Sequence, residues 1–312
     1  MTYALATIRR DGHPTPVIQT EGQFFILSDV APDLMPPGSE KGLMSLFDDW
    51  PASDARLDQV ASTIIGDVRG KIELPSDYDF MAPLLNPSKL LMGGANYYEH
   101  IRVEANKPDF TKESAMPVFF TKPVATCLVG SGAVRYPAQS VKFDWEIELA
   151  VVVGARLRRA SEAEAEAAIA GYCVGIDFSA RDWQFSPLNP FKFDLFTGKA
   201  FDDSCPLGPK FVPARFVDVN SLNLRLWVNG DLMQNGNTSD MVWSPAEQLS
   251  ALSQHTTLQP GDILLTGTPS GVGMARGVFL KVGDSVEAEI DGLGTLKVEI
   301  VPDADERPLL LV

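Results

Sequence analysis

The sequence predicts an α+β, β-rich fold. Three observations lead there. Trp145–Gly154 and Leu222–Val228 alternate with a period of two, the mark of strands with one face turned inward. The helical stretches are few and short. Regular β–α alternation is missing, which argues against a doubly wound sheet or a TIM barrel.

In chain order, residues 1–87 read as a small N-terminal domain and 88–312 as a larger one. The first carries a Pro/Gly loop, Ala31–Ser39, then two short amphipathic stretches, Leu43–Phe47 and Leu57–Ile65. A turn-rich link, Pro83–Pro87, leads into the apolar run Lys89–Met92, closed by Gly93-Gly94. Trp145–Gly154 is a strand with Ile147, Leu149, Val151 and Val153 on one face. Ser161–Ala170 is a helix opened by a capping box, Ser161 with Glu164. Gly171–Phe178 is a second strand. Leu222–Val228 ends at Asn229-Gly230, residues that accept the positive φ of a tight hairpin turn. Ser244–Glu247 opens a helix with Pro245 at its first position. Asp262–Thr266 is a strand, and Val286–Ile290 and Leu296–Ile300 flank the Gly-rich turn Asp291–Gly294.

The chain has 41 acidic against 26 Lys+Arg residues, a formal charge of −15. That excess excludes a polyphosphate partner, which needs a basic face, and an anionic membrane surface. A small anionic substrate is compatible, because a local cation overrides the global sign. Cys127, Cys173 and Cys205 are sparse and form no C-x-x-C pair, so neither a disulfide framework nor a thiolate zinc site is indicated. Arg9 and Arg10 precede no apolar signal core, and the longest apolar run, Leu149–Ala155, falls far below the roughly 18 residues of a membrane span. The expectation is a cytoplasmic protein.

Glu146 and Glu148 are the sharpest chemical feature. At i and i+2 on a strand they share a face, roughly 6.5–7 Å apart. That arrangement fits the solvated face of a half-buried strand. Yet Ala150 and Val152 continue the same face, which argues that it turns inward. Buried like charges need a proton or a cation, and a hard divalent ion suits oxygen ligands. Asp177 sits in an apolar run, either bonded to Arg181 or backbone amides, or completing a three-carboxylate site for Mg²⁺ or Mn²⁺. Of three histidines, His13 reads as surface and His255 as a helix end. His100 comes after Gly93-Gly94 in a polar stretch and is open to a catalytic or a structural role. Thr266–Gly273 (TGTPSGVG) resembles a phosphate loop but lacks the G-K-[ST] of a Walker A motif. The chain beyond this loop reads as strand rather than helix, so the dinucleotide-binding motif is excluded too.

In order, these segments resemble the fumarylacetoacetate hydrolase family. The resemblance rests on GANYYEH (94–100), FFTKP (119–123), DWEIELAVVVG (144–154), GIDFSARDWQ (175–184), GKAFD (198–202), Gln234 and PGDILLTGTPSGVG (260–273), and covers most of 88–302. It implies a mixed β-roll core with a small N-terminal α/β domain, and a homodimer. It implies Mg²⁺ or Mn²⁺ on Glu146, Glu148 and Asp177. It places Arg181, Gln184 and Thr268, with Tyr97 and Gly267, around a 2-oxo acid, and Lys199 and Lys122 among the catalytic groups. His100 is the implied general base, on a lid. The family pattern usually has Glu three residues after this histidine. Here that position is Val103, and Glu104 comes next, still on the side of a helix that faces His100. The long Phe185–Thr197 segment before Lys199 is a second departure. The implied reaction is hydrolysis of a C–C bond in an acylpyruvate-type diketo acid, by a water that His100 deprotonates. Decarboxylation or enol–keto isomerisation of a 2-oxo acid at the same metal is the chemical alternative, and a catalytically silent metal-binding member is the alternative of another class.

Overall fold

The computed structural model describes residues 2–64, 70–75, 78–137 and 140–304. Among them the strands form an 11-stranded mixed sheet, a five-stranded sheet and a two-stranded pair, with short helices between. This is the β-rich α+β architecture that the alternating segments lead one to expect.

The Ile147–Val153 strand is buried along its whole length because both of its faces are covered. Ile147, Leu149, Val151 and Val153 share a core with Leu224, Leu226, Val286 and Val298 of the five-stranded sheet. Ala150 and Val152, on the other face, share a second core with Leu46, Phe47, Trp50 and Leu57. Those last four lie in the 3-10 helix Gly42–Asp49 and the α-helix Trp50–Thr63, where the amphipathic stretches were expected. Ile65, the end of the second stretch, lies outside the described residues.

Three strands of the N-terminal segment, Ala4–Arg10, His13–Thr20 and Gln23–Ile26, were not foreseen. They extend the large sheet, since Leu5 pairs with Phe211 of the Cys205–Pro213 strand. Two other expectations need correction. The helix read at Ser161–Ala170 has its capping box but spans only Glu162–Ala167, because Ile169 already opens the Ile169–Ile176 strand. After the TGTPSGVG loop the chain makes a helical turn, Gly273–Arg276, rather than a strand. Gly277 ends it in a left-handed conformation. No helix among the described residues is long and apolar enough to cross a membrane.

Candidate active site

Strand register assembles the carboxylates. Ile147–Val153 runs antiparallel to Ile169–Ile176 with Ile147 opposite Ile176 and Glu148 opposite Gly175. One step further, Asp177 N–H donates to the Glu146 carbonyl at 2.9 Å, so Asp177 faces Glu146 just past the strand end. Opposed residues of an antiparallel pair share a face. Glu146, Glu148 and Asp177 therefore project together, all buried. One oxygen from each can be chosen so that the three lie within 4.8 Å of one another. Ala150 and Val152 continue that face inward, so it is no solvated surface.

Cations hold two of the three. Lys199 Nζ contacts Glu146 and lies 2.8 Å from Asp177 Oδ2. Arg181 reaches Glu146 Oε1 at 2.5 Å and Asp144 Oδ2 at 2.8 Å. Lys122 lies 2.6 Å from Asp177 Oδ1 while its hydrogen bonds go to the Phe178 and Ser204 carbonyls. Burial alone would raise the Glu146 carboxyl, but Lys199 and Arg181 outweigh it and hold the group below the usual carboxylate range. Burial would likewise discharge Lys199, and Asp177 and Glu146 keep it charged. Glu148 forms no such ion pair among the described residues. Burial first, then Asp177 and Glu146, push it well above the usual range, and the nearby Lys199 charge and the Gly267 N–H at 2.7 Å offset this only in part. Four buried carboxylates, counting Asp144, face three cations, leaving one negative charge uncompensated. An all-oxygen donor set lacking positive charge fits Mg²⁺ or Mn²⁺ and suits zinc poorly.

A cavity of about 460 Å³ opens onto this cluster. His100 and Glu104 stand in its wall, with Nδ1 2.5 Å from Glu104 Oε2. They lie on a π-helical turn, His100–Glu104, in which the Ala105 N–H reaches back to the His100 carbonyl. The wider turn brings residue i+4 over residue i, so the glutamate shifted by one position still meets the histidine. Glu104 Oε1 also accepts from Gly271 N–H at 2.7 Å, which docks the turn onto the 266–273 loop.

Of the twelve residues singled out, nine line the cavity: His100, Glu104, Glu146, Glu148, Asp177, Arg181, Gln184, Lys199 and Thr268. Lys122, Gly267 and Tyr97 do not. Lys122 is 1% exposed, behind Asp177. Gly267 presents only its N–H to Glu148, with φ of +96° and Asn96 Cβ 2.7 Å from where a side chain would begin, so only glycine fits. Tyr97 is fully buried, its hydroxyl raised by burial and by the Glu148 and Asp240 charges. Thr268 lines the site while its hydroxyl donates to the Ile147 carbonyl at 2.8 Å. Two supporting residues were quoted in the motifs without a role. Asp144 accepts from Arg181 Nε and from the N–H groups of Trp145, Gly273 and Met274. Gln234 accepts from Ile147 N–H and donates to Thr268 and the Pro269 carbonyl. The available signal for Asp144 was an ionisable residue between Phe143 and Trp145.

With this geometry in view, the comparisons are specific. The chain belongs to the fumarylacetoacetate hydrolase family: residues 89–301 match the model of the fumarylacetoacetate (FAA) hydrolase C-terminal domain. It is 41% identical over 229 residues to a mitochondrial oxaloacetate tautomerase of Xenopus laevis, covering 72% of this chain and 69% of that one. Its structure resembles fumarylacetoacetate hydrolase from Exiguobacterium antarcticum, with a TM-score of 0.76 and 25% identity over 97% of this chain and 100% of the other. It also resembles fumarylpyruvate hydrolase from Pseudomonas aeruginosa in complex with Mn²⁺ and pyruvate, with a TM-score of 0.61 and 31% identity over 74% and 94%.

Proposed function

We propose that the protein is a divalent-metal-dependent enzyme that moves a proton on C3 of a 2-oxo acid bearing a second carbonyl at C4, the carbon between the two carbonyls, and so is an enol–keto tautomerase. The observation that carries this is the His100–Glu104 pair in the same cavity as a carboxylate cluster short of positive charge. Enolisation needs one oriented proton carrier and one positive focus for the enolate oxygen, and nothing further. The tautomerase name of the Xenopus relative supports the reaction type.

Glu146, Glu148 and Asp177 are the proposed ligands. Bound there, Mg²⁺ or Mn²⁺ would supply a Lewis acid for the 2-oxo acid end. The rest falls to the chain's own groups. With Nδ1–H donating to Glu104, the neutral imidazole leaves Nε2 to accept a proton from carbon, and the Glu104 charge stabilises the imidazolium that forms. Arg181 and Lys199 hold Glu146 ionised, Lys199 and Lys122 pair with Asp177, the latter from behind, and the Gly267 N–H fixes Glu148. Gln184 and Thr268 face the substrate, and Tyr97 packs below. All twelve residues lie between 97 and 268, which assigns catalysis to the 88–312 portion.

A second reading, hydrolysis of an acylpyruvate C–C bond, is favoured by one feature: the cavity runs on past the carboxylates, leaving room for an acyl group and a water. The same His100–Glu104 pair would then deprotonate that water. The test is to monitor enol-to-keto conversion and pyruvate release separately, with Mg²⁺ or Mn²⁺. Conversion without release is expected, and His100→Asn should lose roughly 10²–10⁴-fold. Full activity in His100→Asn, or with chelator present, would overturn the proposal.

A further inference from the structure

Within the segment 185–197, residues 185–194 join two short helices, Arg181–Gln184 and Leu195–Lys199. Its base is tight: a side-chain carbon on Gly198 would stand 2.3 Å from Gln184 Cβ, and Asp194 N–H donates to the Gln184 carbonyl at 2.8 Å. Asp194 also caps the second helix through the Phe196 and Thr197 N–H groups. The base therefore presents Gln184 and Lys199 beside the carboxylates. One residue beyond the first helix stands Phe185, which meets Phe193 with ring centroids 5.5 Å apart, and Leu195 begins the second helix. All three line the cavity. Val118, Phe120 and Met274 add to the apolar wall.

Charge completes the picture. Among the described residues lining the cavity, the permanent cations are Arg181 and Lys199. Both are committed to Asp144, Glu146 and Asp177. A substrate carrying a second carboxylate at its far end would place it against phenylalanine rings with no cation to meet it, so the charge would lose part of its water and gain no partner. An uncharged apolar end gains about fourfold in affinity for each methylene it buries.

We infer that the preferred substrates are 2-oxo acids whose far end is an uncharged aromatic or branched aliphatic group, selected by Phe185, Phe193 and Leu195. This rests on the reading of the carboxylate cluster as the seat of the 2-oxo acid end. It sets this chain apart from an enzyme specialised for oxaloacetate, whose far end is a carboxylate.

The experiment uses the whole chain with saturating Mn²⁺ and four 2-oxo acids that differ in their tails: pyruvate, 4-methyl-2-oxopentanoate, phenylpyruvate and 2-oxoglutarate. Binding is read by calorimetry. Phenylpyruvate should bind at least tenfold more tightly than pyruvate, with 4-methyl-2-oxopentanoate between them and 2-oxoglutarate no tighter than pyruvate. Phe193, 46% exposed, can be replaced without disturbing a core. Phe193→Arg should weaken phenylpyruvate and strengthen 2-oxoglutarate, inverting their ratio, with an unchanged melting temperature as the control for folding. Wild-type protein that prefers 2-oxoglutarate to pyruvate, or a ratio untouched by Phe193→Arg, overturns this inference alone. Failure of all four acids to bind overturns the 2-oxo-acid reading, and the inference with it.

Discussion

Replacing Glu148 by Gln should make the metal-free protein more stable and the enzyme inactive. Glutamine keeps an oxygen for the Gly267 N–H and removes the charge that the cluster cannot balance. Two independent bounds limit the gain. Unit charges 4.8 Å apart, the outer limit of the ligand-oxygen spacing, repel by about 3.5 kcal/mol at an effective dielectric constant of 20. Glu148 escapes that repulsion by binding a proton, which costs about 3.4 kcal/mol at pH 7 for a carboxyl whose ordinary value is 4.5. The resulting stabilisation is about 1–3 kcal/mol, roughly 1.5–5 °C in melting temperature for a chain of 312 residues.

The pH dependence has a definite sign. A buried acid with a raised folded-state pKa keeps its proton while the unfolded chain loses one. Native stability therefore falls as pH rises from about 4.5 toward the raised value. Wild type should show this fall in chelator and Glu148→Gln should not, so the two melting curves diverge with rising pH. Below the ordinary carboxylate range the two converge, and there the lowered Glu146 value acts in the opposite sense in both proteins, since its contribution fades as pH falls. The assay is thermal melting in chelator between pH 4.5 and 8, beside metal-dependent turnover. A Glu148→Gln protein less stable than wild type at pH 7 would refute the charge argument, and retained turnover would refute the ligand assignment.

Two other substitutions probe the same geometry. Lys199→Met leaves Glu146 and Asp177 facing each other without their shared cation, so the metal-free protein should lose about 3–5 kcal/mol, and saturating Mn²⁺ should raise its melting temperature by more than that of wild type. Gly198→Ala places a carbon 2.3 Å from Gln184 Cβ and 2.6 Å from its Cα, so about 1–3 kcal/mol of strain and a raised KM are expected, and a wild-type KM would count against the tight base.

The strands that flank the site were legible because their patterns are local. Ile147–Val153 and Asn223–Val228 alternate or run apolar, and each element stops at a turn or cap residue. The N-terminal strands were hidden by Pro14 and Pro16. Both lie in His13–Thr20 opposite Arg9 and Thr7, beyond the point where the Gln23–Ile26 partner begins at Val17. On that open side no ladder bond is lost, so proline is tolerated where the composition spoke against a strand. In the site, the carboxylates were legible because strand periodicity fixes faces. Their cations were only partly so, since the contact of Lys122 with Asp177 spans 55 residues and no local pattern encodes it. The pairing of Glu104 with His100 was expected from helical spacing, whereas the π turn that accomplishes it has no local sequence mark.

The 266–276 stretch explains how groups from such distant parts of the chain reach one geometry. Gly267 N–H holds Glu148, Thr268 holds the Ile147 carbonyl, Gly271 N–H holds Glu104, and the N–H groups of Gly273 and Met274 hold Asp144, which anchors Arg181. Four of these five contacts use backbone N–H donors, whose positions are set by the path of the chain rather than by side-chain rotamers. Gly271 makes that path possible, with φ of +106° and the Met233 carbonyl 2.2 Å from where a side chain would begin. The resemblance of this loop to a phosphate cradle was thus real in form. Its N–H groups face acidic side chains, and all three of these, Glu148, Glu104 and Asp144, are the protein's own. A buried cluster of ionised side chains contributes little net stability. What the loop gains by fixing them is distance: the proposed ligand, the acid–base pair and the arginine are tied to one short segment, so that their separations are set before any substrate arrives.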